Sequence, residues 1–491
     1  MIHPIPTRRS FLNLMAGGSL LVALPACANA PERSPRPPAR PVQSSERIVD
    51  RAALGGDLAY AVMDMASGNL LEGRGANIAL PPASVAKAIT ALYALEHLGA
   101  EHRFRTRLVA LGPVQDGIVR GDLVLAGGGD PTLDTDRLAG MAAELARGGV
   151  RGVAGRFLVW GGALPFVPQI ADDQAVQAGY NATVSGINLN FNRVHFEWRR
   201  VGQDYAVTMD ARSERHRPEV PMAQMQVVNR TAPLYTYARG DGVDRWTVAR
   251  SALGNTGSRW LPVRQPELYA GQAFRALARA QGVTLPAPQI TREAPQGQVL
   301  IDHVSEPLPI LIRDMLRFST NITAEVLGLM ASQRAGGAGS LAASGARMSD
   351  WARARFGVSS IRMVDHSGLG AASRVNVVDL CQIFRAAGRD GALRALLREH
   401  ALRDSAGRPL TNPNFEVRAK TGTLYFVSAL GGYLRTSSGR DLVFAICSAD
   451  LPRRAQVAGA DLDQPQGTSA WNGQARQMQQ DLLRQWAQVH G

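Results

Sequence analysis

From Leu58 to Asp64 small and apolar residues follow one another in the manner of a strand, and Ala66-Ser67-Gly68-Asn69 supplies turn residues before a second short apolar run at Leu70-Leu71. The pattern predicts a hairpin. The double proline at Pro81-Pro82 forbids helix just upstream, and from Ala83 to Leu98 apolar residues fall on nearly every side, leaving Thr90, Tyr93 and His97 as one narrow polar stripe. Such a helix belongs inside the protein. Near the other end, Val417-Arg418-Ala419 leads into Lys420-Thr421-Gly422-Thr423 as a strand, and the stretch from Phe426 to Tyr433 predicts an adjoining one. Gly422 would let the backbone of a bound ligand approach closely.

The first 48 residues carry a different pattern. Thr7-Arg8-Arg9-Ser10-Phe11-Leu12 is followed by an apolar run through Leu24 and then by Ala28-Asn29-Ala30. A charged start, an apolar middle and an A-x-A end over residues 1–30 fit a cleaved export signal, either twin-arginine-like or of the ordinary Sec kind. Leu24-Pro25-Ala26-Cys27 also resembles a lipoprotein cleavage box, which would tether the protein to a membrane through a lipid on Cys27. The body is therefore expected outside the cytoplasm, in the periplasm. Residues 31–48 are rich in Pro, Arg and Ser with almost nothing to bury, and predict an extended linker.

A chain of 491 residues with 45% hydrophobic, 19% charged and 6% aromatic residues is globular in composition, with length for two or three domains. No apolar run of the ~18 residues needed to span a membrane occurs in the body. A net charge of +13 would suit an anionic partner, but the arginines are scattered and no zinc-finger or RNA-binding signature is present, so nucleic acid is not expected. Cys381 and Cys447 permit one disulfide without prescribing it. No C-x-x-C or H-E-x-x-H occurs and the nine histidines lack ligand spacing, so neither a catalytic metal nor another cofactor is expected.

Lysine is the residue that changes the picture. Of 54 basic residues only Lys87 and Lys420 are lysine. Arginine stays protonated in any protein environment, whereas a buried amine can lose its proton, so a retained lysine points to chemistry. Ser84 and Lys87 lie three apart at the start of the buried helix and share a face. Desolvation lowers the pKa of such an amine, which can then take the serine's proton. Ser319-Thr320-Asn321 and Lys420-Thr421-Gly422 are each weak signals alone. In the order S-x-x-K, S-x-N, K-T-G, with both lysines accounted for, they are strong together.

These motifs resemble those of the penicillin-binding serine DD-peptidases and serine β-lactamases. More narrowly the chain is similar to the D-alanyl-D-alanine carboxypeptidase/endopeptidases of the penicillin-binding protein 4 type, over about residues 50–490. Ser84 and Ser319 are 235 positions apart, as a long insertion after the first motif requires. Gly121-Asp122-Leu123-Val124-Leu125 with Gly127-Gly128-Gly129-Asp130-Pro131-Thr132-Leu133, the stretch from Tyr180 to Asn192, and Asp365-His366-Ser367-Gly368-Leu369 resemble further family signatures.

The resemblance implies an α+β fold. A β-lactamase/transpeptidase-like domain, a five-stranded antiparallel sheet flanked by helices, would form from residues 49–105 with 300–491, and residues 106–299 would make one or two small β-rich inserted domains. It also implies a serine carboxypeptidase, with endopeptidase action open, that works on peptidoglycan stem peptides and is acylated by β-lactam antibiotics. Ser84 would be the nucleophile and Lys87 its neutral base. Ser319 would relay a proton between Lys87 and the leaving nitrogen, and Asn321 would orient Lys87. Lys420 would stay cationic and bind the terminal carboxylate with Thr421 and Thr423. The backbone N–H groups of Ser84 and Thr423 would hold the oxyanion.

Thr320 stands where Asp is usual, which leaves the functional positions Ser319 and Asn321 intact. Two departures bear on side-chain preference: Ala371 stands where an arginine is common, with Arg374 three residues on, and Asp172-Asp173 lies well ahead of Tyr180. A serine β-lactamase and an inactive penicillin-binding-like scaffold are the alternatives. The insertion argues against the first and the intact Ser84, Lys87 and Lys420 against the second. Oligomeric state is not legible.

Overall fold

The computed structural model describes residues 44–389, 391–404, 406–411, 413–457 and 465–491. The proposed leader, Cys27 and most of the proposed linker lie outside these residues.

Both ends of the chain build one sheet. Strands β1 (Asp57–Asp64) and β2 (Leu70–Arg74) form the predicted hairpin, and β3 (Glu416–Leu424), β4 (Val427–Arg435) and β5 (Asp441–Ala449) come from the far end. The order is β3-β4-β5-β1-β2, antiparallel throughout, as expected. The sheet is apolar on both faces, because alternate residues of a strand point to opposite sides. Ala59, Ala61, Met63, Val443, Ala445 and Cys447 enter one core, and Tyr60, Val62, Leu442, Phe444 and Ile446 the other. Cys381 and Cys447 are buried free thiols.

Helix α1 (Ser45–Ala52) corrects the linker expectation, which ran to residue 48. Ser44 caps it by accepting from Arg47 N–H, and Ile48 and Val49 are buried. Two apolar residues a turn from a good N-cap outweigh the surrounding Pro and Arg. The predicted buried helix is observed as a short 3-10 turn, Ala83–Val85, running into α2 (Ala86–Leu98). It packs against α3 (Leu308–Phe318), α4 (Asn321–Arg334) and α5 (Leu341–Phe356), while α6 (Val377–Arg389) covers the first face of the sheet. On the other face lies α7 (Thr468–Val489), whose Trp486 is fully buried against Tyr60 and Phe444 and donates from Nε1 to Ser45 Oγ at 3.1 Å.

The insertion has its own core. A five-stranded mixed sheet in the order 288–291, 157–160, 123–127, 105–110, 298–304 carries helices Thr135–Arg147 and Pro266–Ala280. Three further three-stranded sheets surround it, and Phe157, Phe196, Trp246, Tyr269 and Phe274 fill the interior. Because Gln298–Val304 pairs with Arg105–Ala110, the chain leaves this sheet only after Val304, a few residues past the expected boundary at 299.

Replacing Trp486 by Ala removes a buried indole and its hydrogen bond, and is expected to cost about 3–5 kcal/mol. Denaturant unfolding followed by circular dichroism should show a midpoint lowered accordingly; a wild-type midpoint would show that α7 does not anchor the sheet.

Candidate active site

The chain enters the site under strain. Ala83 has φ +44°, in the left-handed region that costs a residue with a Cβ about 1–2 kcal/mol. Two glycines close on this turn. A Cβ on Gly422 would lie 2.7 Å from the Pro82 carbonyl oxygen and 3.0 Å from Ser84 N, and one on Gly368, itself at φ +75°, would lie 1.9 Å from the Ala83 carbonyl oxygen. The third motif and the 365–369 segment thus clamp the nucleophile's turn from two sides.

One helical turn on, Lys87 is fully buried. Its Nζ donates to Ser84 Oγ at 2.8 Å, Asn321 Oδ1 at 2.7 Å and the Ser367 carbonyl oxygen at 2.9 Å. Burial pushes its pKa down to about 8, partly offset by the negative charges of Glu325 and Asp365. Asn321 opens α4 and is held at its other end, Nδ2 donating to the Tyr180 carbonyl oxygen of the insertion at 3.0 Å.

Ser319 caps α3 in a left-handed conformation, φ +58°. Its Oγ accepts from Lys420 Nζ at 2.9 Å, and Lys420 also donates to the Thr421 carbonyl oxygen at 2.7 Å. Ser319, expected to relay a proton between Lys87 and the leaving nitrogen, is thus held here by Lys420. Burial, then the charges of Lys87 and Arg398, push the Lys420 pKa well below the ordinary lysine value, and a carboxylate beside Nζ would raise it.

β3 is an edge strand, so half of its backbone groups face outward. His400 N–H donates to the Val417 carbonyl and Ala419 N–H to the Arg398 carbonyl, which puts odd-numbered residues on the outer row. Thr421 and Thr423 continue that row. Thr423 lines a cavity of about 340 Å³ with Ser84, Ser319, Asn321, Leu369 and Tyr180, so its N–H faces the same space as Ser84. Tyr180 Oη donates to Gln174 Oε1 and lies 3.3 Å from Tyr425 Oη, forming one wall.

The residues of the weakened subsite do not converge on the cavity. Asp173 pairs with Arg454 at 2.6 Å, Asp172 accepts from Gln169, and the Arg374 guanidinium donates to the carbonyls of Ala371 and Ser373 on its own loop. Glu325 was missed. It is fully buried, one turn after Asn321 on the same face of α4, and accepts from His366 N–H and Ser367 N–H at 2.9 Å each. The spacing N-x-x-x-E was the available signal.

The model of the D-Ala-D-Ala carboxypeptidase 3 (S13) family matches residues 43–464. A D-alanyl-D-alanine carboxypeptidase of Actinomadura sp. (strain R39) is 30% identical over 456 residues, 85% of this chain and 82% of that one. The crystal structure of penicillin binding protein 4 (dacB) from Haemophilus influenzae superposes with a TM-score of 0.75 at 18% identity, covering 91% of this chain and 99% of that chain. A second structure of the same protein, complexed with a β-lactam, gives a TM-score of 0.71 at 18% identity, with 91% and 99% covered. At this identity the two structures bear on fold alone, while the matched span and the Actinomadura relative bear on descent: the chain belongs to the D-Ala-D-Ala carboxypeptidase 3 (S13) family of serine carboxypeptidases.

Proposed function

We propose that the protein is an exported D-Ala-D-Ala carboxypeptidase, with endopeptidase action on the same kind of bond, that cleaves peptidoglycan stem peptides through an acyl-enzyme on Ser84. The observation that carries this reading is the dry amine of Lys87, 2.8 Å from Ser84 Oγ, and a second buried amine, Lys420, 2.9 Å from Ser319 Oγ, the two serines lining one cavity.

The terminal carboxylate of the substrate binds Lys420 and the hydroxyls of Thr421 and Thr423, and its negative charge restores the ammonium. Ser84 attacks the scissile carbonyl while its proton passes to neutral Lys87. The tetrahedral oxyanion is held by Ser84 N–H and Thr423 N–H, a kind of donor worth about 2.7–4 kcal/mol of barrier. Once Lys420 turns to the carboxylate, the Ser319 hydroxyl is free to pass the proton from Lys87 to the leaving nitrogen. D-alanine departs and water cleaves the ester. A β-lactam acylates Ser84 by the same steps and is released slowly.

Intact mass after penicillin treatment should show one covalent adduct in the wild type and none in Ser84→Ala; an unmodified wild type overturns the reading. Purified muropeptides should lose D-alanine, and conversion of dimers to monomers reports the endopeptidase. Nitrocefin should give one stoichiometric burst, whereas sustained turnover would make the protein a β-lactamase.

The acylation rate should rise with pH through a limb near 8, because the base is the unprotonated amine of Lys87, well below the ordinary 10.5. A rate that stays flat through that range and beyond the ordinary lysine value would remove Lys87 as the base.

Gly422→Ala forces β3 away from the nucleophile's turn and should slow acylation about 10²-fold with the melting temperature little changed. Wild-type acylation in that variant would show that the close approach is not needed.

A further inference from the structure

Glu325 takes no part in the steps above, yet it is placed to govern them. The segment 365–370 bridges the two helices that carry the site. Toward α2 it presents two successive carbonyls: His366 O accepts from Thr90 Oγ1 at 2.6 Å and Ser367 O from Lys87 Nζ at 2.9 Å. Toward α4 it presents the two N–H groups of the same residues, and each is taken by one oxygen of Glu325. Asp365 folds the remainder, its two oxygens accepting from Gly368 N–H at 2.9 Å and Gly370 N–H at 2.5 Å. Glu325 therefore decides where the third acceptor of the Lys87 amine stands.

We propose that Glu325 is a positioning residue of the acylation step: its two-oxygen grip on the His366 and Ser367 amides aims the Ser367 carbonyl at Lys87, and its charge sets how readily Lys87 gives up a proton. The inference rests on the reading of Lys87 as the base. The titratable groups facing that amine are Glu325 from α4, Asp365 from the bridging segment and Lys420 from β3. His366, packed with Nε2 on Ser344 Oγ, is neutral because burial pushes its pKa down to about 3. Glu325 and Asp365 both favour the ammonium of Lys87 and Lys420 opposes it; burial, then Asp365, push the Glu325 carboxyl itself up to about 8, so carboxyl and amine titrate as a pair over the same pH range, and removing the carboxyl lowers the proton affinity of Lys87.

The test is acylation of Ser84 by benzylpenicillin, followed by intact mass across pH, in wild type, Glu325→Gln and Glu325→Asp. Glutamine keeps the shape but has one acceptor for two N–H donors and no charge. Its plateau rate should fall about 10²-fold, and its acid limb should move about one pH unit lower. Aspartate keeps the charge but is one methylene short, so the plateau should fall while the limb stays. A residue needed for packing alone would lower the melting temperature and leave the limb where it is.

A Glu325→Gln limb at the wild-type pH overturns the proposal. If that variant does not fold, a wild-type plateau in Glu325→Asp overturns it instead. A wild type that takes no adduct on Ser84 sinks the reading of the site itself, which is a different failure.

Discussion

The structure turns on one amine with three acceptors. Lys87 Nζ is ringed by a hydroxyl, a side-chain amide oxygen and a backbone carbonyl, brought from α2, α4 and the 365–370 segment. An ammonium fills this ring with three N–H donors. A neutral amine has two N–H groups and a lone pair, which fit the two carbonyl-type acceptors and a hydroxyl that turns to donate. Rotation of one O–H is then all that separates the two protonation states, and the heavy atoms stay where they are. Such a site is preorganised in the sense that proton transfer demands no rearrangement of its surroundings.

Two buried lysines held on the serines of one cavity would repel if both were charged, and burial disfavours both charges. Their neighbours differ. Lys87 has the carboxyls of Glu325 and Asp365 beside it, whereas Lys420 donates to Ser319 and a backbone carbonyl and feels the positive field of Arg398. A carboxylate arriving beside Lys420 would therefore favour its ammonium. Arginine could not serve as the base at position 87, since burial does not make it give up a proton. That is a physical reason for a chain with 52 arginines to keep a lysine there.

Much of this was legible because the signals were local. The hairpin showed in the run from Leu58 to Leu71, the buried helix in its nearly all-apolar circumference, and the nucleophile and base in a spacing of three. What escaped depends on tertiary geometry. The bond from Ser319 to Lys420 joins residues 101 apart, and no local pattern encodes it. Ser319 and Ala83 adopt left-handed backbone although neither is glycine or asparagine, the residues that would announce it. Glu325 is one of several polar residues in α4, and its partners are backbone amides, which have no letter in a sequence. The first helix was hidden by composition, its two apolar positions Ile48 and Val49 following directly on a Pro- and Arg-rich stretch.

The order of strands carries a consequence for biogenesis. β5, residues 441–449, lies between β4 and β1, and Trp471 and Trp486 of α7 seal the far side. Without β5, β1 has no partner on that edge, and the hairpin at one end of the chain is not joined to β3 and β4 in one sheet. Hydrolytic capacity is therefore expected only once the pairing of β5 with β1, between segments far apart in sequence, has closed the sheet.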